Sequence, residues 1–122
     1  DICIGLTVNF ATNPEAMLTA ADRIVFQVDD GDSNIDCVTE KDGTATTTDS
    51  GVDIASGTAV TLGFHVKSTG SVEFFVNRNK VATHTANIPD DENLALGAMQ
   101  LSGSATGTKS MNIDYIFAAQ VR

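Results

Sequence analysis

The chain contains no tryptophan and a single tyrosine, Tyr115. A carbohydrate site that stacks sugar rings on exposed aromatic platforms would have little to be built from. Basic residues are also scarce. Seven Lys and Arg against sixteen Asp and Glu leave a formal charge of −9, and the seven are scattered. Nucleic acid is thereby excluded as a partner, because binding phosphates needs a basic stripe and the counterion release that comes with it. The two cysteines, Cys3 and Cys37, are too few for a disulfide framework and read as free, partly buried thiols, with one bridge as the alternative. No apolar run approaches the length of a membrane helix, and no signal-peptide pattern occurs, so no membrane partner is expected. Hydrolase motifs are missing as well. There is no G-x-S-x-G, no H-E-x-x-H, no phosphate-binding glycine loop and no E-x-D-x-x-E carboxylate pair, so the expectation is a protein that is not an enzyme.

A chain of 122 residues with 42% hydrophobic content suits one domain, 1–122, around a single core. It opens on Asp1-Ile2-Cys3-Ile4, without methionine and already in a strand pattern. That start predicts a processing boundary or an origin within a longer chain.

The strongest pattern lies in residues 59–86. Val60, Leu62, Phe64 and Val66 alternate with polar or small residues, and Val72, Phe74 and Val76 repeat the period of two after Ser68-Thr69-Gly70. For both apolar rows to share a face, the loop must hold an odd number of residues. Ser68-Thr69-Gly70 meets this requirement, with Gly70 able to take the left-handed conformation of a bulged turn. Val66 is then expected opposite Val72, Phe64 opposite Phe74, Leu62 opposite Val76 and His65 opposite Glu73. A slip of one residue would turn the whole set to solvent. For the next hairpin, a two-residue loop at Arg78-Asn79 would keep Val76 and Val81 on the core face, pairing Phe75 with Ala82 and Glu73 with His84. Arg78 suits a left-handed position poorly, so that turn is expected to be strained or wider.

Elsewhere, Ile2, Ile4, Leu6, Val8 and Phe10 alternate with Cys3, Gly5, Thr7 and Asn9 as a half-buried first strand ended by Asn13-Pro14. Residues 14–21 could hold one helical turn, with Pro14 in its first turn. Strands are predicted over 23–29, 35–40, 44–49 and 94–101, and a last one over 109–120 with Met111, Ile113, Tyr115 and Phe117 on one face. Roughly nine short strands with turns every eight to twelve residues indicate an all-β fold, an antiparallel β-sandwich or barrel.

Three groups of residues invite a functional reading. In 29–36, DDGDSNID, the side chains of Asp30, Asp32 and Asn34 could offer oxygen ligands to calcium. The loop does not follow the helical calcium pattern, and a solvated turn rich in Asp and Asn would look the same. The predicted row His65–Glu73–His84 gathers both histidines of the chain around one carboxylate, as a pH-sensitive surface pair or as ligands of a shared divalent ion. Phe75, expected on the outward row between Gly63 and Ala82, could be a sugar platform or a contact for another subunit.

Several segments carry a family resemblance. Ser71-Val72-Glu73-Phe74-Phe75-Val76-Asn77, then Lys80-Val81-Ala82-Thr83-His84-Thr85, Asn87-Ile88-Pro89 and finally Ser110-Met111-Asn112-Ile113-Asp114-Tyr115-Ile116 resemble concanavalin A-like, or laminin G-like, jelly-roll modules. The versions they look most like occur in bacteriophage structural proteins. The Ile4-Gly5-Leu6 and Ile24-Val25-Phe26 strands fit the same layout. Arg78 departs from the pattern, because such modules usually carry Gly at that turn. The chain is also shorter than a full jelly roll, which implies that its N-terminal strands are lacking and that an open edge is closed by other residues or another subunit. The resemblance implies a lectin-like jelly roll with no cofactor that acts within a virion, as a capsid decoration or tail-associated protein. Its partners would be other virion proteins or further copies of itself. The alternative it implies is a carbohydrate-binding module for host-surface glycans, with the loops 29–36 and 89–93 lining a site at one end of the sandwich.

Overall fold

Nearly every stretch with two-residue alternation becomes a strand, and each strand pairs antiparallel with its neighbour. The computed structural model of the chain describes residues 1–8, 15–68, 70–102 and 109–120. The expected continuation of the first strand to Asn9 and Phe10, its end at Asn13-Pro14, the central Thr69 of the first hairpin turn and residues 103–108 lie outside them. The elements are β1 (Ile2–Thr7), the one-turn helix α1 (Ala16–Thr19), β2 (Arg23–Val28), β3 (Asn34–Lys41), β4 (Thr44–Asp53), β5 (Leu62–Lys67), β6 (Ser71–Val76), β7 (Asn79–His84) and β8 (Ala95–Gln100). They form a five-stranded sheet in the order β4-β3-β2-β1-β8 and a three-stranded sheet in the order β5-β6-β7. The all-β sandwich expected from the alternation is the observed class. Among the described residues no helix is long and apolar enough to cross a membrane.

The first hairpin has the register that parity requires. Leu62 faces Val76, Phe64 faces Phe74, His65 faces Glu73 and Val66 faces Val72, with Gly70 at a φ of 71° in the turn. The second hairpin differs. Its two-residue loop is Asn77-Arg78, one position earlier than expected, and both residues are left-handed, with φ of 52° and 68°. Two positive φ values are the signature of the tight hairpin turn whose twist matches the flanking strands, and Asn at its first position is favoured. A bulge between Phe74 and Phe75 absorbs the offset, so Glu73 pairs with Thr83 and Val72 with His84. The predicted pairs Glu73–His84 and Phe75–Ala82 are therefore replaced, and Phe75 stands opposite Lys80.

Between the sheets lies the main core: Ile24, Phe26, Val28, Ile35, Cys37, Val72, Phe74, Val76 and Ala82. Phe26 of β2 receives Phe74 edge-on at a centroid distance of 5.3 Å and Phe64 of β5 at 6.4 Å. The small sheet is thus centred over β2, β3 and β4. It reaches β1 only where Ile2 and Leu6 touch the edge of the core. A second cluster, Cys3, Met17, Val25, Val38 and Met99, fills the opposite face of the large sheet beneath α1. Arg23 ties that face together: Nε donates to Glu40 Oε2 at 2.7 Å, while Nη1 donates to the Met17 carbonyl at 3.1 Å and to Gln27 Oε1 at 2.9 Å.

Burial on β1 inverts what the alternation suggests. Cys3, Gly5 and Thr7 are the buried residues, and the apolar row Ile2, Ile4 and Leu6 is only half-covered. The side chain of Ile4 shares a face with its cross-strand partners Phe26 and Ala98, so this row points between the sheets, where the three-stranded sheet stops short. On β5 the consequence is the same: Leu62 and Phe64 are half-buried and Val66 is 45% exposed, although their partners on β6 are fully buried. The last predicted strand is not observed. Residues 109–120 are described but take no strand conformation, and they leave Tyr115 and Phe117 at 74% and 80% exposure.

Candidate functional site

His84 is drawn inside by the bulge. It is 3% exposed, sits 5.0 Å from the Phe74 ring centroid and reaches across to the large sheet. Its Nδ1 lies 2.9 Å from Thr39 Oγ1, and its Nε2 lies 3.0 Å from Thr48 Oγ1. Thr39 donates its single hydroxyl proton to the Ala86 carbonyl at 3.1 Å, which leaves its oxygen to accept the Nδ1 proton. The Thr48 hydroxyl can donate to Nε2 or accept from it, so the hydrogen bonds alone do not set the charge of the ring. Burial sets the charge: desolvation holds the His84 pKa below its ordinary value and favours the neutral ring, in which Nε2 accepts from Thr48.

The predicted His65–Glu73–His84 row is thus not assembled. Its outer half survives as the His65–Glu73 pair, and Glu73 is occupied instead by Lys67 at 2.8 Å and Lys80 at 3.3 Å. The Lys67 hydrogen bond, then that of Lys80, holds its carboxyl below the usual range.

A pH test follows for His84. Because its folded-state pKa is depressed, its contribution is complete above the unfolded value near 6.5 and is lost as pH falls through the folded-state pKa. Thermal midpoints measured from pH 8 to pH 5 should fall on the acidic side for the native chain, and the fall should flatten in His84→Gln. An equal slope in both would refute the buried neutral assignment.

The acidic turn joins β2 to β3. Asp32 Oδ1 accepts from the backbone N–H of Ser33 at 2.7 Å and of Asn34 at 3.0 Å, and Asn34 Nδ2 donates to Asp49 Oδ2 at 3.3 Å. Asp30 is exposed. Two of the three proposed calcium ligands therefore already serve the turn and its neighbour. Among the described residues no group of three or more His, Cys, Asp or Glu is placed to hold a metal ion. Asp36 faces Asp49 across the β3–β4 ladder, and its carboxyl is pushed up by burial first and then by Asp49, Asp29 and Asp32.

The second loop of the expected end site lies elsewhere. Asp90 and Asp91 pair with Lys41 at the far end of β3 from Asn34. An eight-residue strand separates the two loops, a span of roughly 20 Å. They do not line one site.

Phe75 is half-buried on the outer face of the small sheet, in an open depression shared with Thr61, Gly63, His65 and Arg78. Exposed large apolar side chains lie elsewhere: Ile113, Tyr115, Ile116 and Phe117 in the last segment, and Val66 on the edge strand β5. The row of Ile2, Ile4 and Leu6, continued on β8 by their partners Leu96, half-buried, and Ala98, exposed, is likewise only partly covered. The alternation of 109–120 is a signal for a strand, but only the fold shows that the segment takes no strand conformation and leaves these side chains exposed. No family model, no curated protein and no solved structure matches the chain.

Proposed function

We propose that the chain is a non-enzymatic structural module of a virion, a capsid decoration or tail-associated protein that works through protein–protein contact. The observation that carries this reading is the exposed run Ile113, Tyr115, Ile116 and Phe117, between 46% and 80% accessible on a chain whose formal charge is −9. Contiguous apolar residues on an otherwise charged surface mark a contact surface. The virion setting rests on the resemblance of residues 71–89 and 110–116 to jelly-roll modules of bacteriophage structural proteins. Particles purified on a density gradient from lysates of the source should carry the chain in fixed stoichiometry, as read by quantitative immunoblot. Its absence from the particle band, or specific hits on a glycan array, would overturn the reading.

A further inference from the structure

The incomplete cover of the sandwich and the unpaired last segment fit each other. β5 is bonded to β6 on one side and to no described strand on the other, so residues 62–67 present a free row of backbone N–H and C=O groups. Such an edge is a template for another strand. Beside it lies the half-covered row Ile2, Ile4 and Leu6, with Leu96 and Ala98 next to them on β8. A strand added to β5 would extend the small sheet over that row.

The chain itself carries a segment suited to that place. Met111, Ile113, Tyr115 and Phe117 recur at the period of two that gives a strand one apolar face. The seven residues from Met111 to Phe117 match the six of β5. Charge agrees as well. Residues 109–120 hold one Lys and one Asp, a net of zero in a chain of −9, and residues 62–66 contain no acidic side chain. This is where a second acidic molecule can approach without repulsion. In the structure the segment takes no strand conformation; Met111 is half-buried but Ile113, Tyr115, Ile116 and Phe117 are exposed, while the row Ile2, Ile4 and Leu6 stays half-covered.

We infer that residues 109–120 of one copy add as a strand to the β5 edge of a second copy and cover its Ile2, Ile4 and Leu6 row, with the exchange reciprocal in a two-fold dimer. This rests on the contact-module reading and names the partner as the chain itself. Reciprocal exchange is a low-cost route to a closed dimer, because the pairing each copy gives is the pairing it receives.

Light scattering coupled to gel filtration, with hydrogen exchange at high and low protein concentration, tests the proposal on the full chain. The expected mass is about twice the 12.8 kDa of one chain, with the amides of 109–120 protected only where the dimer is populated. Ile113→Asp combined with Phe117→Asp should give a monomer with an unchanged far-UV spectrum. Because those positions are exposed, the substitution spares the core. Ile4→Asp alters the receiving side, and mixing it with the Ile113→Asp, Phe117→Asp chain should restore a dimer, since each lacks a different half of the exchange. A native chain that is monomeric at all concentrations would overturn the proposal, and protected amides in that monomer would show the segment closing on its own sheet. A dimer indifferent to Ile113→Asp and Phe117→Asp would overturn it equally. Failure here and failure of the virion reading are separable: a dimer absent from particles counts against the virion alone, and a monomer found in particles counts against strand exchange alone.

Discussion

Phe74→Ala should lower the unfolding free energy by about 3–5 kcal/mol, the range for removing a fully buried aromatic side chain. Phe74 is 0% exposed and is the largest of the fully buried side chains. It is the point where the two sheets meet, edge-on to Phe26 at 5.3 Å and tilted against Phe64 at 6.1 Å and His84 at 5.0 Å. Truncation removes the shared partner of three rings, and strands hydrogen-bonded on both sides cannot collapse far into the space. Against a total stability of about 5–15 kcal/mol for a domain, this is about a fifth or more of what holds the fold. The urea midpoint should drop with little change in slope. A loss under about 1 kcal/mol would mean that the core is not centred where the ring contacts place it.

Gly5→Ala should be of similar size for a different reason. A Cβ at Gly5 would stand 2.2 Å from the Ile24 carbonyl oxygen and 2.7 Å from the Val25 Cα, both backbone atoms of the central strand β2. No rotamer change relieves such a contact, so β1 and β2 must separate. The φ of 154° adds strain for any side chain. Overpacking and backbone strain, each about 1–3 kcal/mol, sum to roughly 2–6 kcal/mol. Gly63→Ala is the matched control, since a Cβ there meets nothing within 4 Å. It should be neutral or slightly stabilising through the unfolded chain. Equal urea midpoints for the two variants would refute the close approach of β1 to β2.

How much of this was legible in the sequence varied with what each element depends on. The β5–β6 register follows from parity alone, because two apolar rows and an odd loop admit one pairing. The β6–β7 register does not, because Val81 of β7 is the extra residue opposite the Phe74–Phe75 step and no alternation announces it. Asn77 was the available clue, as a residue that enters the left-handed region readily ahead of Arg78. That one offset moved His84 from the surface to the core and dissolved the predicted row with Glu73. On β1 the alternation identified the apolar face correctly but not which face is covered, since cover depends on how far the opposite sheet extends. For Asp30, Asp32 and Asn34, composition could suggest oxygen ligands, whereas only geometry shows Asp32 bonded to the turn and Asn34 to Asp49.

The two thiols sit on opposite faces of the large sheet, Cys3 in the cluster under α1 and Cys37 in the main core, each 0% exposed. They do not bond to each other, and burial pushes their pKa values up to about 11 and about 12. A thiol reagent at neutral pH therefore finds nothing to attack in the folded chain, since the thiolate is the reactive form. This makes the protein its own opening sensor: the labelling rate at Cys3 reports separation of α1 and β8 from the sheet, while Cys37 reports parting of the two sheets. A cysteine introduced anywhere on the surface would be the single fast-reacting site, so a probe can be placed at will without removing either native thiol.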